Sequence, residues 1–186
     1  MGTLLLLLAA AAFVFGILTF NGLIRLRQLC ANAWADIDVQ LKRRHDLVPM
    51  LVSAVQGHAG YERGTLDAVV AARNRAMGAS GPAAAGVAEG ELAGAVRQVF
   101  ALAEAYPELR AAESYLALQR GLTEVEDHLQ NARRYYNAVV RDLNTRIEQF
   151  PSNLVARTAG IRPAEFFGLD DRAEAAVPSI NLDRKA

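Results

Sequence analysis

Residues 4–24, LLLLLAAAAFVFGILTFNGLI, hold no charged side chain. At about 1.5 Å per residue, a helix over this run is roughly 31 Å long, the thickness of a bilayer's hydrocarbon core. A cleaved signal peptide would carry basic residues ahead of the apolar stretch and a small-x-small site after it. Here no Lys or Arg comes first, and TFNGLIRLR comes after. The pattern predicts an uncleaved transmembrane anchor over residues 1–24. Arg25, Arg27, Lys42, Arg43 and Arg44 all follow the span and none precedes it. The positive-inside rule then places a very short N-terminus outside and the rest of the chain in the cytoplasm, as a single-pass membrane protein. Ala9 to Ala12 and Gly16 would let neighbouring spans approach closely, and ordinary lipid-facing residues would read the same way.

Beyond the span the chain is neutral, with 20 basic and 20 acidic residues in 186. It lacks the broad basic field on which nucleic-acid binding rests, so no nucleic-acid partner is expected. Cys30 is the only cysteine. It can form no internal disulfide, has no base beside it in sequence, and reads as a small buried hydrophobe rather than a reactive thiol.

Helical spacing dominates from Leu23 onward. Leu26, Leu29, Ala33, Ile37 and Leu41 share a face, with no Gly or Pro between Gly22 and Pro49. The membrane helix is therefore expected to run straight into the soluble domain. Pro49 should kink it or open a new helix, with Asp46 as N-cap. Gly57, Gly60 and Gly64 weaken the helix after Val55 and Ala59, and Leu66 to Met77 resume it. GASGPAAAG, residues 78–86, reads as a loop, followed by a helix over about 88–104 and a break at Pro107. The longest helix carries apolar positions from Tyr115 through Leu122, Val125, Leu129, Tyr136 and Leu143 to Phe150, at steps of three and four. Such a stripe needs partner helices along most of its length. AEFFGL, residues 164–169, is a small apolar patch suited to docking on the bundle. The prediction is all-α: the anchor, an antiparallel four-helix bundle over residues 25–168, and a flexible tail over 169–186.

The chemistry-bearing residues do not assemble into a known motif. His45, His58 and His128 sit in no HExxH or ExxH frame, and no nucleophile elbow or phosphate loop is present. No catalytic residue, cofactor or metal ligand is assigned. The densest charge lies in IDVQLKRRHDLVP, residues 37–49. Asp38 and Lys42 are four apart in the favourable order, and Arg43, Arg44 and Asp46 flank them. One reading is an exposed charged face. The other sets Asp36, Asp38 and Asp46 against the cluster Arg133, Arg134, Arg141, Asp142 and Arg146 on the long helix, an ion-pair network that also takes in Lys42, Arg43 and Arg44. Lipid contact falls to Arg25 and Arg27, because a straight helix carries Lys42–Arg44 roughly 27 Å past the membrane, beyond a Debye length of about 8 Å. Trp34, Tyr135 and Tyr136 are candidates for a protein interface, with core packing as the alternative.

Two segments, LRQLCANAWADIDVQLKRRHDLVPMLVSAVQGHAGYERGTLDAVVAARNRA and LAEAYPELRAAESYLALQRGLTEVEDHLQNARRYYNAVVRDLNTRIEQFPSNLVA, resemble the two halves of the LemA family's signature. The likeness runs over about residues 20–168. It departs at the Gly/Ala-rich stretch 78–90 and at Met50, where the family more usually has a polar residue. The resemblance implies a bacterial single-pass membrane protein with a cytoplasmic antiparallel four-helix bundle and no assigned activity, cofactor or catalytic residue. It also implies occurrence near membrane-envelope proteins, and one branch in magnetosome membranes with a suggested part in membrane shaping. Three functions follow as expectations. The first is a non-enzymatic scaffold that forms homo-oligomers, recruits envelope partners, or both. The second is a membrane-remodelling coat or cage of many copies. The third is a metal-dependent hydrolase hidden in the bundle.

Overall fold

The first helix does not stop at the end of the uncharged run. In the computed structural model, which describes residues 1–57 and 63–168, α1 runs unbroken from Gly2 to Gln56, about 80 Å at helical rise. Up to Leu18 almost every side chain of α1 is exposed; from Thr19 onward one face is buried. It is the one described helix long and apolar enough to cross a membrane. Ala33, Ile37 and Leu41 are buried, with Leu26 and Leu29 packed beside them, as their spacing predicts.

Pro49 neither caps nor opens a helix; it lies inside α1, and Asp46 is an interior residue. Proline has no N–H to give the carbonyl four residues back, at His45. Arg73 supplies the missing donor: its Nε bonds the His45 carbonyl oxygen at 2.6 Å. A side chain from the next helix thus takes the place of a backbone bond, and the long helix survives its proline.

α2 (Arg63–Gly78), α3 (Pro82–Glu104), the short α4 (Pro107–Ala111), α5 (Glu113–Glu148) and the short α6 (Ser152–Thr158) complete the fold. No strand occurs among the described residues. Residues 78–86 form much less of a loop than their glycines suggest. α3 already begins at Pro82, a residue preorganised for a helix's first turn, and continues through alanines, the best helix formers. His58, Ala59, Gly60 and the tail 169–186 lie outside the described residues.

The chain runs up and down. α5 returns antiparallel along α1: Trp34 meets Tyr136, Arg44 meets Glu126, and Gly121 faces Leu47. The interior divides into two clusters. The distal one, away from the span, joins α1 (Val48, Leu51, Val52, Val55), α2 (Leu66, Val69, Ala72), α3 (Leu92, Val96, Val99), Leu109, and α5 (Tyr115, Leu122). Here four long helices pack as expected. Along the proximal cluster α1 and α5 supply most of the helical wall, through Leu23, Ala33, Ile37, Leu129, Tyr136, Val140 and Leu143, and α3 adds only its first turn, through Ala85. Ala156 of α6 and Ile161 and Phe167 of the following extended segment fill the space two further helices would occupy.

Candidate functional site

Between the two apolar clusters lies a layer of charge. Arg44 follows Leu41 by three residues and precedes Val48 by four, so it occupies an inward position of α1 and is 5% exposed. Glu89 occupies the matching place on α3, between Ala85 and Leu92, and is 3% exposed. Arg44 Nη1 reaches Glu89 Oε2 at 3.1 Å, and its other terminal nitrogen pairs with Glu126 of α5. His45 Nε2 lies 2.6 Å from Glu89 Oε1. Glu89 thus uses both carboxylate oxygens within the protein. Charges withdrawn from water are tolerated only when paired and hydrogen-bonded, and such a cluster adds little net stability while being costly to break by removing one partner. Here it locks α1, α3 and α5 at one level. Arg44, Arg97, Phe100, Leu122 and Gln130 line an open groove of about 300 Å³ between α3 and α5.

The second constellation binds the chain to itself. After α6 the backbone runs extended beside α5 as a strap. Asn144 accepts from the Ala164 N–H at 2.9 Å and donates to the Ala164 carbonyl at 3.0 Å. One heptad earlier, buried Asn137 does the same to Phe167, at 2.9 and 3.3 Å. Two side-chain amides at a helical repeat thus take the part of a neighbouring strand. Tyr136 donates its hydroxyl to the Glu165 carbonyl at 2.8 Å, and Arg133 donates to that of Gly168 at 2.9 Å. Burial pushes the Tyr136 phenol up to about 12, so it stays a donor at any physiological pH. Where the strap crosses α3 there is room only for glycine. A Cβ on Gly86 would lie 2.2 Å from both Cα and N of Gly168, which itself has φ +64°.

The residues singled out by sequence fall into three places. Arg25 and Arg27 are exposed just past the span, as lipid contact requires. Asp36, Asp38, Lys42 and Asp46 are exposed on α1, and none of their ion pairs with α5 forms among the described residues. Arg133 holds the strap instead, and Arg134 bonds its neighbour Asn131. The physical reason is rotation: α1 turns Arg44, not the aspartates, toward its partners. Arg43 pairs loosely with Glu124 at 3.8 Å in solvent. Trp34 and Tyr136 belong to the interior, where Trp34 stacks at a tilt on Tyr136 and Phe167 with centroids 5.6 and 5.7 Å apart. Only Tyr135 of the three aromatic candidates is exposed. Cys30 is buried, and burial raises its thiol pKa.

Glu89, Glu126, Asn137, Asn144 and Gly86 went unnoticed in the sequence. Glu89 had a signal, since it breaks an apolar stripe of α3 at an inward position, as Arg44 does on α1. The asparagines and Gly86 had none. Among the described residues no three His, Cys, Asp or Glu side chains converge as a metal site. What the arrangement does chemically is closure: it sets helix register and seals the proximal core.

The family model for the LemA family matches residues 33–182. Magnetosome protein MamQ 2 of Paramagnetospirillum magneticum is 23% identical, covering 86% of this chain and 69% of its own. Magnetosome protein MamQ of Magnetospirillum gryphiswaldense is 21% identical over the same shares. Protein LemA of Metamycoplasma hominis is 26% identical, over 74% of this chain and 63% of its own. With the apolar N-terminal helix, these likenesses describe a membrane-associated helical protein, and the chain belongs to the LemA family.

Proposed function

We propose that this protein is a non-enzymatic scaffold of the bacterial inner membrane. It crosses once, with a short N-terminus outside and the bundle in the cytoplasm, and it self-associates, recruits envelope partners, or both. The observation that carries this reading is the continuity of α1. One helix is at once the span and a wall of both cores. A partner gripping the bundle therefore grips the anchor, with no hinge between them. The basic residues Arg25 and Arg27 beside the span favour the cytoplasmic side. Cross-linking in native membranes followed by mass analysis tests it. Defined oligomers or repeated partner adducts are expected; a strict monomer with no adduct overturns the proposal.

The relatives named as magnetosome proteins favour a second reading, in which many copies coat and shape a membrane. Large ordered assemblies on liposomes would select it over a small scaffold, and particles of one or two chains would remove it.

A further inference from the structure

The antiparallel register brings the end of α5 back to the depth of the span. Moving along α1 from Arg44 to Trp34 moves the partner on α5 from Glu126 to Tyr136. Continued to Glu148, the same register reaches α1 at about residue 22, inside the uncharged run. Packing agrees with this. α6 lies against α1, Leu23 shares one buried cluster with Ala156 and Val155 of α6, and Thr19 is buried as well.

The turn at this end is built unlike a surface loop. Phe150 is 79% exposed and Leu154 55% exposed, both large and apolar. The buried Ser152 hydroxyl sits 2.6 Å from the Arg146 carbonyl and 2.8 Å from that of Gln149. The hydroxyl has one proton for the Arg146 carbonyl, and the Gln149 carbonyl also accepts from the Asn153 N–H at 2.8 Å, so open carbonyls at the end of α5 find donors within the protein. Exposed Arg146, Arg157 and Arg162 flank the turn in sequence, together with exposed Asp142 and Glu148, and the register sets exposed Arg25 and Arg27 of α1 opposite the last turns of α5. Apolar tips with arginines close by in sequence and in register suit the boundary between acyl chains and anionic headgroups.

We propose that the turn between α5 and α6, through Phe150 and Leu154, is a second membrane contact, seated in the lipid interface beside the point where α1 leaves the bilayer. The proposal rests on residues 4–24 crossing that bilayer. With this contact the bundle touches the membrane at two points, so its tilt is fixed as well as its attachment.

The test uses full-length protein with Cys30→Ser, reconstituted in vesicles of phosphatidylcholine and phosphatidylglycerol. A fluorophore is placed singly at Leu154→Cys, Phe13→Cys or Gln119→Cys, all exposed positions. Quenching by brominated acyl chains is compared with quenching by aqueous iodide. The label at 154 is expected to be quenched several-fold more by brominated lipid than the label at 119, and to be shielded from iodide. Iodide access at 154 equal to that at 119, with 13 still quenched by lipid, overturns the proposal and leaves the anchor standing. Shielding of 154 from both quenchers overturns it in favour of contact with another copy. Iodide access at 13 would overturn the anchor itself, and this inference with it.

Discussion

The two halves of the bundle solve the same packing problem with different means. The distal core is closed by four helices whose apolar residues recur at steps of three and four. The proximal core has two helices along its length and only the first turn of α3, and it is closed by α6 and an extended strap, held by side-chain amides and one close glycine crossing. Between them stands the charge layer of Arg44, Glu89, His45 and Glu126. A regular helical stripe can thus build half a bundle, while the other half depends on single residues in single places. Damage should differ accordingly, with small, distributed losses in the distal core and a strap that detaches as a unit in the proximal one.

The largest effect is expected at the boundary. Arg44→Leu leaves Glu89 buried without its cation, and should cost about 3–5 kcal/mol in denaturant unfolding of the solubilised full-length protein. Arg44→Leu combined with Glu89→Leu should recover much of that loss, because apolar replacement of a whole buried pair is often neutral. If the double variant were as unstable as the single one, the layer would not act as a paired unit.

Phe167→Ala removes the strap's aromatic anchor on Trp34 and should cost about 3 kcal/mol. Hydrogen exchange is the sharper readout. Amides of the strap and α6 should lose protection while those of α2 and α3 keep theirs; equal loss in both halves would erase the distinction drawn between them. Gly86→Ala should act at the same place from the opposite side. Its methyl would have to displace the strap, at a cost of about 1–3 kcal/mol, whereas Gly90→Ala, with open space around it, should be neutral or mildly stabilising.

Asn144→Ala leaves the Ala164 N–H and carbonyl without partners and should cost about 1–2 kcal/mol. Tyr136→Phe is the smallest change, about 1 kcal/mol for one hydroxyl donor. It also carries a pH signature. The folded phenol is raised to about 12, above the ordinary tyrosine value near 10. The stability it lends is therefore complete below about pH 10 and lost as pH climbs toward 12. The wild-type protein should lose stability over that window, and Tyr136→Phe should lose less.

How far the sequence could be read follows the same division. The apolar N-terminal helix, its continuation into the domain, and the stripe from Tyr115 to Leu143 were legible, because uniform and periodic apolar runs write helices into composition. Pro49 opens no new helix, and the donor that takes over the His45 carbonyl is Arg73, 28 residues on from His45 and visible only in three dimensions. The stretch 78–86 looked like loop because glycine was taken as a breaker, whereas Gly86 serves the close crossing of Gly168. Arg44 and Glu89 could have been found as charges standing in apolar stripes. Asn137 and Asn144 could not, since a buried amide and a solvated one are the same letter.

The claim on which the rest depends is that α1 is one helix from the membrane to the charge layer. Paired spin labels test it directly, at Phe13→Cys in the span and Val39→Cys in the domain, both exposed, on protein with Cys30→Ser in lipid vesicles. An unbroken helix predicts a single narrow distribution near about 39 Å between the two backbone positions. A broad distribution, or a main peak well short of that length, would show a hinge between anchor and bundle and contradict the account.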